Sequence, residues 1–294
     1  FGNSLARLPT LRRLNLSYNW IGLKADAGTI AIAQSLTKLL ALTELDMSHN
    51  QIGHVADTGT VTLGQSLRST RSLTFLNLAN NWIGLTGDAG TASIAQSLQM
   101  LPALTYINLA GNKVGRSEDT GTMALGKAIP NCPSLRSFNL SNNLIGLTAD
   151  LGTVMLGQGL QSLTYLEVLD LSGNWIALRG TAGSIALAQG LQNLKSLMTL
   201  KLGNNWISYK NGDGAKALAS TLSSPTLQSA TLLPNPLSAQ VVQILNTGLD
   251  ANPHLKRLSM ILSDPNSIKE FFQTVPLRTT ALDLSGRLID QGNT

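Results

Sequence analysis

The sequence predicts an α/β solenoid, a row of short parallel strands backed by a row of helices, one strand and one helix per repeated unit. Three observations predict it. Leucine recurs at Leu11, Leu42, Leu73, Leu104, Leu135, Leu166 and Leu197, always 31 residues apart, then at Leu227 after 30 and Leu255 after 28. The apolar pattern changes period inside each unit, from two to that of a helix. Apolar residues make up 43% of the chain but aromatics only 4%, which suits a core of many equivalent aliphatic positions. Self-similarity at such a period is the mark of a stacked repeat, because one unit cannot bury its apolar face alone.

Each element follows from the string. The first unit reads Leu11, Leu14, Leu16, Asn19, Ile21; the third reads Leu73, Leu76, Leu78, Asn81, Ile83; the seventh reads Leu197, Leu200, Leu202, Asn205, Ile207. The central leucines alternate with period two, so they form a short strand with one face turned to the core. The string resembles the leucine-rich-repeat signature. Asn19, Asn50, Asn81, Asn112, Asn143, Asn174, Asn205 and Asn235 stand where the chain leaves each strand. Their amides are expected to pair with backbone groups of their own and neighbouring turns, a scaffold role, since leaving such a group unpaired costs roughly 1–3 kcal/mol.

The second half of each unit reads as a helix. In residues 90–98, Ile94, Ala95 and Leu98 share one face. Thr29, Thr60, Thr91, Thr122 and Thr153, each after Gly, suit the helix start, and Pro102 and Pro133 fall just past its end. Asp26, Asp57, Asp88, Asp119 and Asp150 precede the helices at the same 31-residue interval. A row of cation-binding carboxylates is one reading. The reading taken is that each Asp caps the N–H groups of the helix it precedes.

The chain resembles the ribonuclease-inhibitor subfamily of leucine-rich repeats. Residues 205–222 (NWISYKNGDGAKALASTL) carry that subfamily's Asn, Gly-Asp-x-Gly and Ala-Leu steps, while other units insert about three loop residues, as at 84–88. Residues 1–240 form the solenoid, about eight units. Residues 241–294 read as degenerate repeats and a C-terminal cap of the same domain: Leu255, Leu258 and Met260 still fit, as do Leu282 and Leu284, but the asparagine is missing. The uniformity of the units and the lack of the subfamily's many cysteines are similar to leucine-rich-repeat effectors that intracellular bacterial pathogens deliver into host cells. That resemblance implies a protein that inhibits or recruits a host protein or another effector.

With helices on the convex face and strands on the concave face, the third, fifth and eighth places of each unit point into the hollow. The third holds Arg13, Glu44, Phe75, Tyr106, Ser137, Val168 and Thr199; the fifth Asn15, Asp46, Asn77, Asn108, Asn139, Asp170 and Lys201; the eighth Tyr18, His49, Asn80, Gly111, Asn142, Gly173 and Asn204. The partner-binding candidates are Arg13, Tyr18, Glu44, Asp46, His49, Phe75, Asn77, Tyr106, Asn108, Asp170 and Lys201. Phe75 and Tyr106 should be neighbours about 5 Å apart, with Arg13, Tyr18 and Glu44 supplying hot-spot composition. Trp20, Trp82, Trp175 and Trp206 all follow the ladder asparagine, on the rim. They either cover the loop against Leu23, Leu85 or Leu178, or form a row of anchors; side-chain exposure separates the two.

Other classes find little support. Lys plus Arg exceed Asp plus Glu by 21 to 16, a net charge of +5, with no block of like charge, which disfavours nucleic acid. The single cysteine, Cys132, forms no internal disulfide and points to a reducing, cytoplasmic setting, the host's if the chain is a delivered effector. No apolar run is long enough to span a membrane. The start at Phe1 lacks an initiator methionine and a secretory signal, so a trimmed chain is expected. His49, His54, His254 and Cys132 share no plausible location, and zinc spacing and a phosphate loop are absent, so no catalytic residue, metal or cofactor is expected. The expectation is a protein-interaction module, monomeric alone, that binds a partner protein on its concave face. The alternative is a ligand-sensing or scaffold segment of a larger receptor, and nucleic-acid binding ranks third.

Overall fold

A computed structural model describes residues 2–207, 213–232, 235, 239–255, 257–259 and 281–283. Ten three-residue strands form one parallel sheet in chain order: β1 (Arg13–Asn15), β2 (Glu44–Asp46), β3 (Phe75–Asn77), β4 (Tyr106–Asn108), β5 (Ser137–Asn139), β6 (Val168–Asp170), β7 (Thr199–Lys201), β8 (Ser229–Thr231), β9 (Arg257–Ser259) and β10 (Ala281–Asp283). A short turn of helix, α1 (Gly2–Leu5), precedes them. Between the strands run α2 (Ala27–Leu36), α3 (Thr58–Leu67), α4 (Ala89–Leu98), α5 (Thr120–Ala128), α6 (Leu151–Leu160), α7 (Ala182–Leu191), α8 (Asp213–Leu222) and α9 (Ala239–Asp250). Each pair of strands is in register unit for unit, Phe75 against Tyr106 for example. Strands lie about 4.8 Å apart whereas packed helices need 8–10 Å. The stack therefore bends with the strands inside, the horseshoe expected. Strands β9 and β10 continue the sheet past residue 240; Met260 and Leu284 lie outside the described residues.

The core is the repeated leucine set. Leu42, Leu45, Met47 and Ile52 of the second unit are fully buried, as are Leu73, Leu76, Leu78 and Ile83 of the third. From Asn50 to Asn235, each ladder asparagine bonds its own unit and the preceding one. Asn112 Nδ2 donates to Leu109 O of its own unit and Leu78 O of the preceding one, both at 3.0 Å, and its Oδ1 accepts Ile83 N–H at 3.1 Å. Asn50, Asn81, Asn143, Asn174 and Asn205 repeat the arrangement. The ladder thus satisfies buried carbonyls across the seams from the first unit to the eighth.

The aspartates depart from expectation. Each sits at the N-cap of its helix, yet none makes a side-chain bond to that helix. The carboxylate instead accepts the N–H of a glycine in the first turn of the next unit's helix: Asp26 from Gly59, Asp57 from Gly90, Asp88 from Gly121, Asp119 from Gly152 and Asp150 from Gly183. Capping is therefore between units, not within one. A side chain on Gly90 would overlap Asp57 Oδ1 and Thr60, so the glycine is what lets the carboxylate approach. Burial, and then the neighbouring charges of Asp88 and Asp26, hold the Asp57 carboxyl above its ordinary value against the bond from Gly90. Asp119 is raised in the same way, burial first.

Candidate binding surface

The three outward rows of the sheet prove chemically unequal. The fifth row ends each strand. Asn15, Asp46, Asn77, Asn108, Asn139 and Asp170 each accept, through Oδ1, the N–H two residues on, at 2.9–3.1 Å. Such side-chain turns are why Asn and Asp recur there. What they retain for a partner is the other end of the group, much of it already paired: Asn77 Nδ2 donates to Asp46 Oδ2 at 3.0 Å, Asn108 Nδ2 donates to the Tyr106 hydroxyl at 3.3 Å, and Lys201 Nζ lies 3.3 Å from Asp170 Oδ2.

The eighth row is left-handed in every unit from the first to the seventh, with φ between 53° and 67°. Asparagine and glycine adopt that region cheaply; other residues cost roughly 1–2 kcal/mol. Five units obey, with Asn80, Gly111, Asn142, Gly173 and Asn204. The first two do not: Tyr18 and His49 hold φ of 60° and 56°, and their rings stack in parallel with centroids 4.0 Å apart. Asn80 Nδ2 reaches His49 Nε2 at 3.0 Å. Strain kept against a ready alternative is a pointer to use.

The third row carries no such backbone constraint and is where the chain varies most. Arg13 and Glu44 form an exposed ion pair at 2.9 Å. Next along the row, Phe75 and Tyr106 are both half-buried, with rings parallel to within 6° and centroids 4.4 Å apart. Ser137, Val168 and Thr199 complete it.

The tryptophans divide. Trp82 packs between His54, at 5.4 Å, and the Lys113 ammonium, 5.1 Å from its centroid. Trp175 and Trp206 stack at 6.0 Å. These three are half-buried by neighbouring units, whereas Trp20 is 62% exposed. His54 lies 28 residues before Trp82 and Lys113 lies 31 after it, at the same place in the next unit, so both contacts arise only when the units stack.

Among the described residues no group of His, Cys, Asp and Glu side chains could hold a metal, and no helix is long and apolar enough to cross a membrane. The Cys132 thiol is buried, donates to Leu98 O, and is pushed up to about 12 by desolvation, which leaves it inert.

A family model described as a leucine-rich repeat matches residues 7–25, 41–55, 70–87 and 162–180. No significant match is found among curated proteins. Among solved structures, a plant peptide hormone receptor, RGFR1 in complex with RGF2, is similar over 97% of this chain at 16% identity, with a TM-score of 0.46. The chain spans 38% of that receptor chain's length. A constant 31-residue strand–helix unit, an asparagine ladder across the seams and four segments that match the family model give the chain the fold of a leucine-rich-repeat solenoid.

Proposed function

We propose that the chain is a protein-binding module that takes a partner protein onto its strand face, centred on Phe75 and Tyr106. The carrying observation is the parallel stack of those two rings on adjacent strands. They occupy the row that the backbone leaves free, on β3 and β4. Paired aromatics flanked by Arg13, Glu44, Tyr18 and His49 have the composition of interface hot spots. Leucine-rich-repeat domains generally mediate protein–protein interaction, and several curved units can bury well over about 1,000 Å², enough for a stable interface.

The finer reading is an inhibitor or recruiting effector of the ribonuclease-inhibitor-like kind. Full helices of nine or ten residues on the outer wall support it, as do the uniform units. A single buried cysteine supports a reducing, cytoplasmic setting.

The test is affinity capture of partners from lysate by the wild-type chain beside a Phe75→Glu, Tyr106→Glu variant. The variant should still fold, with a melting temperature lowered by the loss of the stacked, half-buried rings and by the opposed carboxylates, and lose the partners. Identical partner sets for the two proteins would remove the strand-face site.

A further inference from the structure

A second surface stands apart from the strand face, on the edge where each helix turns back into the next strand. In the first three such turns, residues 1–12, 34–43 and 65–74, the chain places Arg7, Arg12, Lys38, Arg68 and Arg71 and no carboxylate. All five are exposed. Among the described residues the ion pairs are Arg13–Glu44, Arg136–Glu167 and Lys201–Asp170, none of which uses these five; Arg68 donates to the neutral Gln96. Two large apolar side chains project from the same turns, Leu8 at 49% and Leu40 at 62% exposure.

The scaffold does not require this chemistry. The next four turns, residues 96–105, 127–136, 158–167 and 189–198, do the same structural work with Gln, Asn, Ser and Pro. They contain three cations, and Arg136 there is neutralised by Glu167. Complementing the negative ends of the helix dipoles would apply equally to every turn, so it does not explain the concentration at one end. The carboxylates of the same units lie elsewhere: Glu44 and Asp46 on the strand face, Asp26 and Asp57 at the helix starts.

We propose that this edge docks an acidic protein segment carrying apolar side chains, its carboxylates meeting Arg7, Arg12, Lys38, Arg68 and Arg71 and its apolar groups covering Leu8 and Leu40. Charge complementarity commits the edge to an anion, and the two projecting leucines set among the cations favour a polypeptide over a bare phosphate backbone. The proposal is independent of the strand-face site.

The test measures binding of a fluorescein-labelled peptide of repeating Glu-Glu-Leu-Glu by anisotropy. The proteins compared are the wild-type chain, a Lys38→Glu, Arg71→Glu variant, and a Lys127→Glu, Lys195→Glu variant with the same change in net charge on later turns. All substituted positions are exposed, and circular dichroism checks the fold. The wild type and the later-turn variant should bind alike, the Lys38→Glu, Arg71→Glu variant about tenfold more weakly, and Leu40→Ser should also lose affinity. Equal loss in both charge variants would show a net-charge effect and overturn the proposal. So would no binding at all, or tighter binding to phosphatidylserine vesicles or an oligothymidylate than to the peptide.

Discussion

Tyr18 and His49 show what residue-level chemistry adds to a repeat pattern. Both stand in a left-handed backbone position that the other units fill with Asn or Gly. The sequence displays the variation in that row, but variation alone cannot separate a recognition residue from one chosen for its φ. The aspartates pose a related difficulty. Asp57 could bond its own helix or the next, and in a repeat the partner is the same residue type either way, so only coordinates assign the bond to Gly90. That assignment has a pH consequence. A carboxyl raised above its ordinary 3.8 makes its full contribution to stability below that value and loses it as pH climbs through the raised one. An Asp57→Asn variant keeps an oxygen for the Gly90 N–H and carries no charge. Thermal unfolding should find it equal to or more stable than the wild type near neutrality, its advantage growing as pH rises above the ordinary carboxyl value of 3.8. An advantage that shrinks as pH rises would contradict the buried, mutually repelling column.

At the scale of the element, the strands and helices were legible because each rests on a local period: Leu73, Leu76 and Leu78 alternate, and Ile94, Ala95 and Leu98 share a face. How closely the helices approach was not legible, since it depends on neighbours a unit away. Gly64 in α3 is the clearest instance. A methyl group there would lie 2.5 Å from Ile94 N and Ser93 C in the backbone of α4. Helix propensity alone says Gly→Ala should stabilise by nearly 1 kcal/mol. The packing reverses that sign, and Gly64→Ala should destabilise by roughly 1–3 kcal/mol as overpacked sites do, read as a lower midpoint in urea. A raised midpoint would mean that the two helices are further apart than described.

The whole molecule is a division of labour between a constant scaffold and a variable face. Leucines fill the core and asparagines stitch the seams. Aspartates cap the neighbouring helices, and the fifth row closes each strand. What remains free is the third row and, on the turn edge, a local excess of cations. The sequence made the scaffold plain through its spacing. It could rank the outward residues only by place in the unit, because pairings such as Phe75 with Tyr106 or Tyr18 with His49 depend on ring geometry between units. If the strand face is the binding surface, a captured partner must shield it directly. Hydroxyl-radical footprinting of the free and partner-bound protein reads this side chain by side chain. The account predicts reduced oxidation of Phe75 and Tyr106 on binding, with Tyr165, exposed in the turn that closes the fifth unit, unchanged. Protection of Tyr165 with Phe75 and Tyr106 oxidised as before would contradict it.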